Sequence, residues 1–278
     1  MRIGRIKYLN CLPYYRGWES SEKFQFESGT PAQINQMMRE GRIDAAPISS
    51  MEYLKSPNDY FLLPDLGIAS HDFVRSVTLF SKKKIEDLSG AEIAVTEESL
   101  TSTHLLNLIL KGKYGIQAQL LPMPSNPKTM LENHDAALLI GNDALFAHPR
   151  KWILRYDLGQ LWRGWQNLPF VYAVWAVRRE AHLDETCVQE FYQALKERFL
   201  YNTAHLSELV QKQGNISEFD KLYPKIFGYL SNLRYVLDEP CWRGFEKFME
   251  LSAARGFCGA APLNFVPDLS FTVPVELN

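Results

Sequence analysis

Cysteine is scarce and unpaired in this 278-residue chain: Cys11, Cys187, Cys241 and Cys258 stand far apart, with no CxxC among them. That spacing excludes a zinc ribbon and a disulfide framework and predicts reduced thiols. The six histidines are as scattered, with no HExxH and no carboxylate at ligand spacing, so no metal site is expected. GxGxxG, GxSxG and the phosphate-loop pattern GxxxxGK are all missing, and no cofactor is expected. No apolar run approaches the roughly eighteen residues that span a bilayer, so no membrane partner is expected. Charge of one sign does not accumulate either: 30 basic and 32 acidic residues leave a formal −2, and the longest like-charged block is the lysine triplet at 82–84. A nucleic-acid partner is therefore not expected. The opening stretch MRIGRIKYLNCLPYY has no apolar signal core and no small-residue cleavage site, which predicts a cytoplasmic protein.

What the chain does have is a stretch at 93–110, IAVTEESLTSTHLLNLIL, that passes from a β-prone run through a hydroxyl-rich turn into a helical apolar stripe. Ser99, Thr101 and Ser102 lie where that helix starts. Hydroxyls there cap orphan backbone N–H groups, and with the positive end of the helix dipole they form a site for an anion such as a carboxylate. The same residues also fit plain helix caps.

The length suits one large domain or two lobes. Residues 2–6 predict a strand, and Pro13 ends any regular element soon after, so Asn10 falls at the strand's carboxyl end. Thr30-Pro31 predicts an N-cap and a first helical residue, with Ile34, Met37 and Met38 buried and Gly41 as the stop. Residues 42–48 predict a strand that runs into Ser49-Ser50, again placing hydroxyls where a strand ends. Further strands are expected at 61–69, 74–80, 116–121 and 136–140, and an apolar one at 170–177 that crosses back to the first lobe. With the lysine triplet as boundary, 1–80 and 174–278 form one lobe and 81–173 the other. Helices at 184–201, 203–212, 219–230 and 238–254 should pack on the first lobe, while the tail at 259–278 fits either a strand or disorder. Two open α/β sheets place their ligand in the cleft between strand ends.

The phrase EDLSGAEIAVTEESLTS at 86–102 resembles the start of the second lobe in type II periplasmic-binding-protein-like folds. Six further segments resemble, in order, one branch of that superfamily: IKYLNCLP at 6–13, GRIDAAPISSMEYL at 41–54, RSVTLFSK at 75–82, DAALLIGNDAL at 135–145, DLGQLWRGWQNLPFVYAVWA at 157–176 and RYVLDEPCWRGFEKFMEL at 234–251. That branch is the chorismate dehydratase family of the futalosine route to menaquinone. The resemblance implies a two-lobed α/β fold with a central cleft, a dianionic small-molecule partner, and conversion of chorismate to 3-[(1-carboxyvinyl)oxy]benzoate and water. Two readings stay beside it, the 1,4-dihydroxy-6-naphthoate synthase of the same pathway and a carboxylate-binding protein without chemistry. Two places depart from the family pattern: Asn142 stands where an acidic residue is usual, ahead of Asp143, and Gln166-Asn167 replaces the Thr-Gly before Leu-Pro-Phe.

A dianion calls for two anion-binding corners. On this reading Ser99, Thr101 and Ser102 form one, Ser49 and Ser50 the other, and Arg75 is a charge partner whose alternative is a surface salt bridge. Tyr8 and Phe170 are candidate walls for the ring, as is Tyr172, whereas Trp175 is expected in the core. The matched turns carry no His or Lys base. A substrate carboxylate is therefore expected to take the ring proton, while Asn10 and Ser76 hold it and assist the departing hydroxyl. Asn10 also fits a turn residue bonded to its own backbone, and Ser76 a plain strand hydroxyl.

Overall fold

Alternation in the opening residues produces β1 (Arg2–Ile6), which buries Ile3, Gly4 and Ile6, in a computed structural model that describes residues 1–18, 22–148, 153–211, 216–260, 262–267 and 269. After the short α1 (Leu12–Tyr15), β1 pairs in parallel with β2 (Gln25–Gly29). The helix α2 (Pro31–Arg39) opens on a reciprocal cap: Thr30 Oγ1 accepts from the Gln33 N–H, and the Gln33 side chain accepts from the Thr30 N–H. β3 (Ala45–Ser49) then leads into α3 (Ser50–Lys55), which Ser49 caps, and the long β4 (Tyr60–Ser70) follows.

The middle of the chain builds β5 (Val77–Ser81), β6 (Glu92–Thr96), α4 (Leu100–Lys113), β7 (Gln119–Met123), α5 (Pro127–Asn133), β8 (Ala136–Ile140), α6 (Gly141–Phe146), β9 (Leu154–Asp157) and α7 (Leu158–Gln166). The chain returns through β10 (Phe170–Arg178) and continues as α8 (Glu185–Ala204), α9 (Leu206–Gln211), α10 (Ile216–Asn232), β11 (Arg234–Val236) and α11 (Glu239–Ala253). The strands form two sheets, ordered β11-β4-β10-β3-β1-β2 and β7-β6-β8-β5-β9. In the first, β10 runs antiparallel to both β3 and β4; in the second, β6 lies parallel to β7 and β8, and β5 antiparallel to β8 and β9. Trp175, at 0 % exposure, packs against Tyr14 and Phe191 in the aromatic core of the first lobe.

Several elements differ from the sequence expectations. The strand expected at 74–80 belongs to the second sheet, where Val77 faces Ile140 and Ser81 faces Ala136. All five β5 residues are buried, and the lysine triplet is the solvated exit of that strand. Sheet membership changes back before Phe170, which is in register with Ser70. The strand expected at 116–121 sits at Gln119–Met123 and includes Pro122, which is tolerated because β7 is an edge. Helix α8 runs on to Ala204, past the expected break at 201, and α9 is correspondingly shorter than 203–212, whose last residue lies outside the described residues. In the tail Phe265 bridges in parallel to Leu62, while 270–278 lie outside the described residues.

Candidate active site

The first crossover between the sheets is held by one carboxylate. Asp157 caps α7 by accepting from the N–H groups of Gly159 (2.9 Å) and Gln160 (3.2 Å), and it also accepts from Val74 (3.1 Å) and Arg75 (2.6 Å). Burial pushes its carboxyl above the ordinary range, while the four N–H donors pull the other way. Arg75 turns at φ 62, a left-handed conformation that costs a non-glycine residue energy and that Asp157 secures through its N–H. The next residue, Ser76, is 3 % exposed; its carbonyl accepts from Gly141 N–H at 2.8 Å and its hydroxyl accepts from the Tyr229 phenol at 2.8 Å.

Facing it, the chain leaves β1 through Tyr8 and a tight turn at Leu9–Cys11. Asn10 Oδ1 is buried there with no hydrogen-bond partner. The Tyr8 ring lies on Gly141, where φ is +55 and an added Cβ would come within 2.8 Å of the ring, so only glycine fits. The Tyr8 phenol donates to the Glu98 carboxylate across the cleft. Burial first, then Glu98, pushes the phenol well above its ordinary pKa, and it stays protonated.

Two helix mouths supply hydroxyls. Ser49 accepts from the Glu52 N–H (3.3 Å) and from Asn35 Nδ2 (3.0 Å). Ser99 caps α4 by accepting from Ser102 N–H at 3.1 Å. Thr101, 2 % exposed, accepts from the Met51 N–H of α3 at 2.9 Å, tying the two helix mouths together and leaving its own proton free to donate. Tyr8, Asn10, Ser49, Ser76, Ser99, Thr101 and Ser102 all line one cavity of about 70 Å³, closed further by Val74, Ile140, Gly141 and Tyr172. The Tyr172 phenol lies 3.5 Å from Ser70 Oγ and, being buried, also stays neutral.

Three sequence candidates lie elsewhere. Ser50 is fully buried and donates to the Val171 carbonyl at 2.6 Å. The Arg75 side chain is exposed and off the cavity wall, its contribution being the backbone turn. Phe170 is held in an aromatic cluster, with ring centres 5.1 Å from Trp162 and 5.0 Å from Phe248. Sequence reasoning missed Asp157, Gly141 and Tyr229 as parts of this site. The Asp157-Leu158-Gly159 cap was readable as a helix start, whereas the reach of Asp157 to residue 74 is long-range.

The cavity wall thus carries no Lys, Arg, His, Cys or carboxylate among the described residues, and its two titratable groups are neutral phenols. Elsewhere, too, no three His, Cys, Asp or Glu side chains cluster as metal ligands among the described residues.

A profile of the family described as menaquinone biosynthesis matches residues 1–254. The chain belongs to that family. A chorismate dehydratase of Thermus thermophilus is 32% identical over 267 residues, covering 89% of this chain and 93% of the relative. Another, from Campylobacter jejuni, is 26% identical over 203 residues, covering 69% and 74%. Among solved structures, a protein of Archaeoglobus fulgidus superposes with a TM-score of 0.74 at 18% identity, covering 92% of this chain and 97% of that one. The periplasmic aliphatic sulphonate binding protein of Escherichia coli gives 0.62 at 15% identity, covering 100% and 97%. The fold is the two-lobed type II periplasmic-binding-protein-like fold. Asn167 adopts φ 56 after α7, the left-handed position that glycine usually fills and asparagine tolerates. Asp143 accepts from the Ser125 hydroxyl.

Proposed function

We propose that this protein is a cytoplasmic hydro-lyase that converts chorismate to 3-[(1-carboxyvinyl)oxy]benzoate and water. The ring hydroxyl and the proton on the neighbouring ring carbon leave together as water, and the electron pair of the broken C–H bond completes the aromatic ring. The step is redox-neutral and needs no electron carrier. Aromatisation supplies the driving force, so the protein's task is to hold the two leaving groups in place.

The observation that carries this reading is Asn10 Oδ1, a buried acceptor without a donor, on the wall of a cavity that has no charged base. An acceptor in that position suits the substrate's ring hydroxyl, and the missing base suits a reaction in which the substrate's own side-chain carboxylate takes the proton and passes it to the departing hydroxyl. Ser76 can donate to that carboxylate. The Thr101 and Ser102 hydroxyls at the start of α4, with the helix dipole, suit the second carboxylate.

The test is direct: purified protein is incubated with chorismate, and the product is followed by its aromatic absorbance and by a mass lower by one water. Chorismate recovered unchanged would refute the proposal.

A further inference from the structure

Ser76 is fixed from behind by a residue that lies more than 150 positions away in the chain and lines no part of the cavity. Tyr229, on α10 and 2 % exposed, donates its phenol proton to Ser76 Oγ at 2.8 Å. The helix that carries it meets the first crossover at a second point as well. Asn232 Nδ2, one turn on, donates to the Phe73 carbonyl at 2.6 Å, and Lys225, one turn before, lies over the Phe146 ring of α6 at 5.4 Å. α10 therefore touches the crossover and the second lobe on either side of Tyr229.

The direction of the Tyr229 bond has a chemical consequence. A serine hydroxyl offers one proton and two acceptor lone pairs. With one lone pair taken by a buried phenol on the core side, the Ser76 proton is free to point to the cleft, where the reacting groups would sit. Accepting a hydrogen bond also polarises the O–H and strengthens the bond it donates. Burial keeps the Tyr229 phenol protonated, so it retains a proton to donate across the working pH range. Without this donor the Ser76 hydroxyl would rotate between equivalent staggered positions, and part of its population would point away from the substrate.

We propose that Tyr229 is a positioning residue for the dehydration, orienting the Ser76 hydroxyl towards the carboxylate that accepts the ring proton. This rests on the function proposed above. The test is a double-variant cycle on the full-length protein with chorismate as substrate, using Tyr229→Phe, Ser76→Ala and the two combined. Tyr229→Phe removes one oxygen and keeps the ring. It should lower kcat by about tenfold, the scale of one net hydrogen bond, with KM and melting temperature nearly unchanged. In the Ser76→Ala background the same change should cost nothing further, because its effect passes through that hydroxyl.

Full turnover in Tyr229→Phe would overturn the inference, as would losses that simply multiply in the combined variant. A fall in activity matched by a lower melting temperature would also overturn it, since Tyr229 would then only brace the crossover. A parent protein inert towards chorismate would instead overturn the proposed function, and this inference with it.

Discussion

A buried amide oxygen without a donor costs about 1–3 kcal/mol, so Asn10 Oδ1 is held at the cleft at the expense of stability. The tight turn at Leu9–Cys11 leaves it no backbone donor, which sets it apart from the self-capping asparagine of an ordinary turn. Asn10→Ala should therefore lower turnover of chorismate by roughly a hundredfold, the scale for losing one preorganised polar group, while its melting temperature holds or rises. Asn10→Asp keeps the size but sets a negative charge against a dianion, and it should weaken binding as well. Calorimetric titration and absorbance assays on both variants check this. Near-parental turnover in a folded Asn10→Ala variant would move the role to another group on the cavity wall. Tyr8 differs from Asn10, because its phenol already has an acceptor in Glu98 and offers the substrate mainly a ring face.

At the scale of elements, the cleft depends on how the crossover at 71–76 is gripped. Asp157 offers its two oxygens to four N–H groups, two of them in the crossover, and an amide in its place would present one oxygen and repel the donors with the other end. Asp157→Asn should cost roughly 1–3 kcal/mol of stability and lower kcat through a displaced Ser76, as read by melting curves and turnover together. An unchanged melting curve would show that the caps of α7 and the Arg75 turn form without it. Helix starts such as Thr30-Pro31, Ser49, Ser99 and Asp238 were legible in the sequence because capping is local chemistry. So were the bounds of β1 and β8, through alternation and an unbroken apolar run. Sheet membership was not: Val77–Ser81 has the same pattern whichever sheet it joins, and its partner β8 lies more than fifty residues on. For the site, the hydroxyls at strand ends were legible, but whether one faces the cleft, as Ser49 does, or a neighbouring carbonyl, as Ser50 does, is decided by tertiary packing.

At the scale of the whole molecule, the lobes meet through contacts beyond the cleft, and one of these titrates. His104, on α4 of the second lobe, lies one turn behind Thr101; its Nε2 is 3.2 Å from Ser252 Oγ on α11, between the rings of Phe248 and Phe257. Burial, aided by Lys55, Arg255 and Lys111, lowers its pKa from the ordinary 6.5 to about 4. In the unfolded chain it takes up a proton near the ordinary value, whereas the folded protein resists until about 4, so between these pH values the unfolded state binds more protons. Its contribution is thus intact above the ordinary value and is lost as pH falls through that window, by roughly 3 kcal/mol at the lower end. The buried carboxyls of Asp65 and Asp157 are raised by desolvation and act with the opposite sign, so the bulk acid profile mixes both effects. The contribution of His104 is isolated by His104→Phe, whose ring suits the aromatic pocket and carries no charge. Denaturant unfolding at steps from neutral pH to about 4 should give a stability curve for this variant that falls less steeply with acid than the parent's. Parallel curves would mean that α4 and α11 part, or admit water to the imidazole, before it takes its proton.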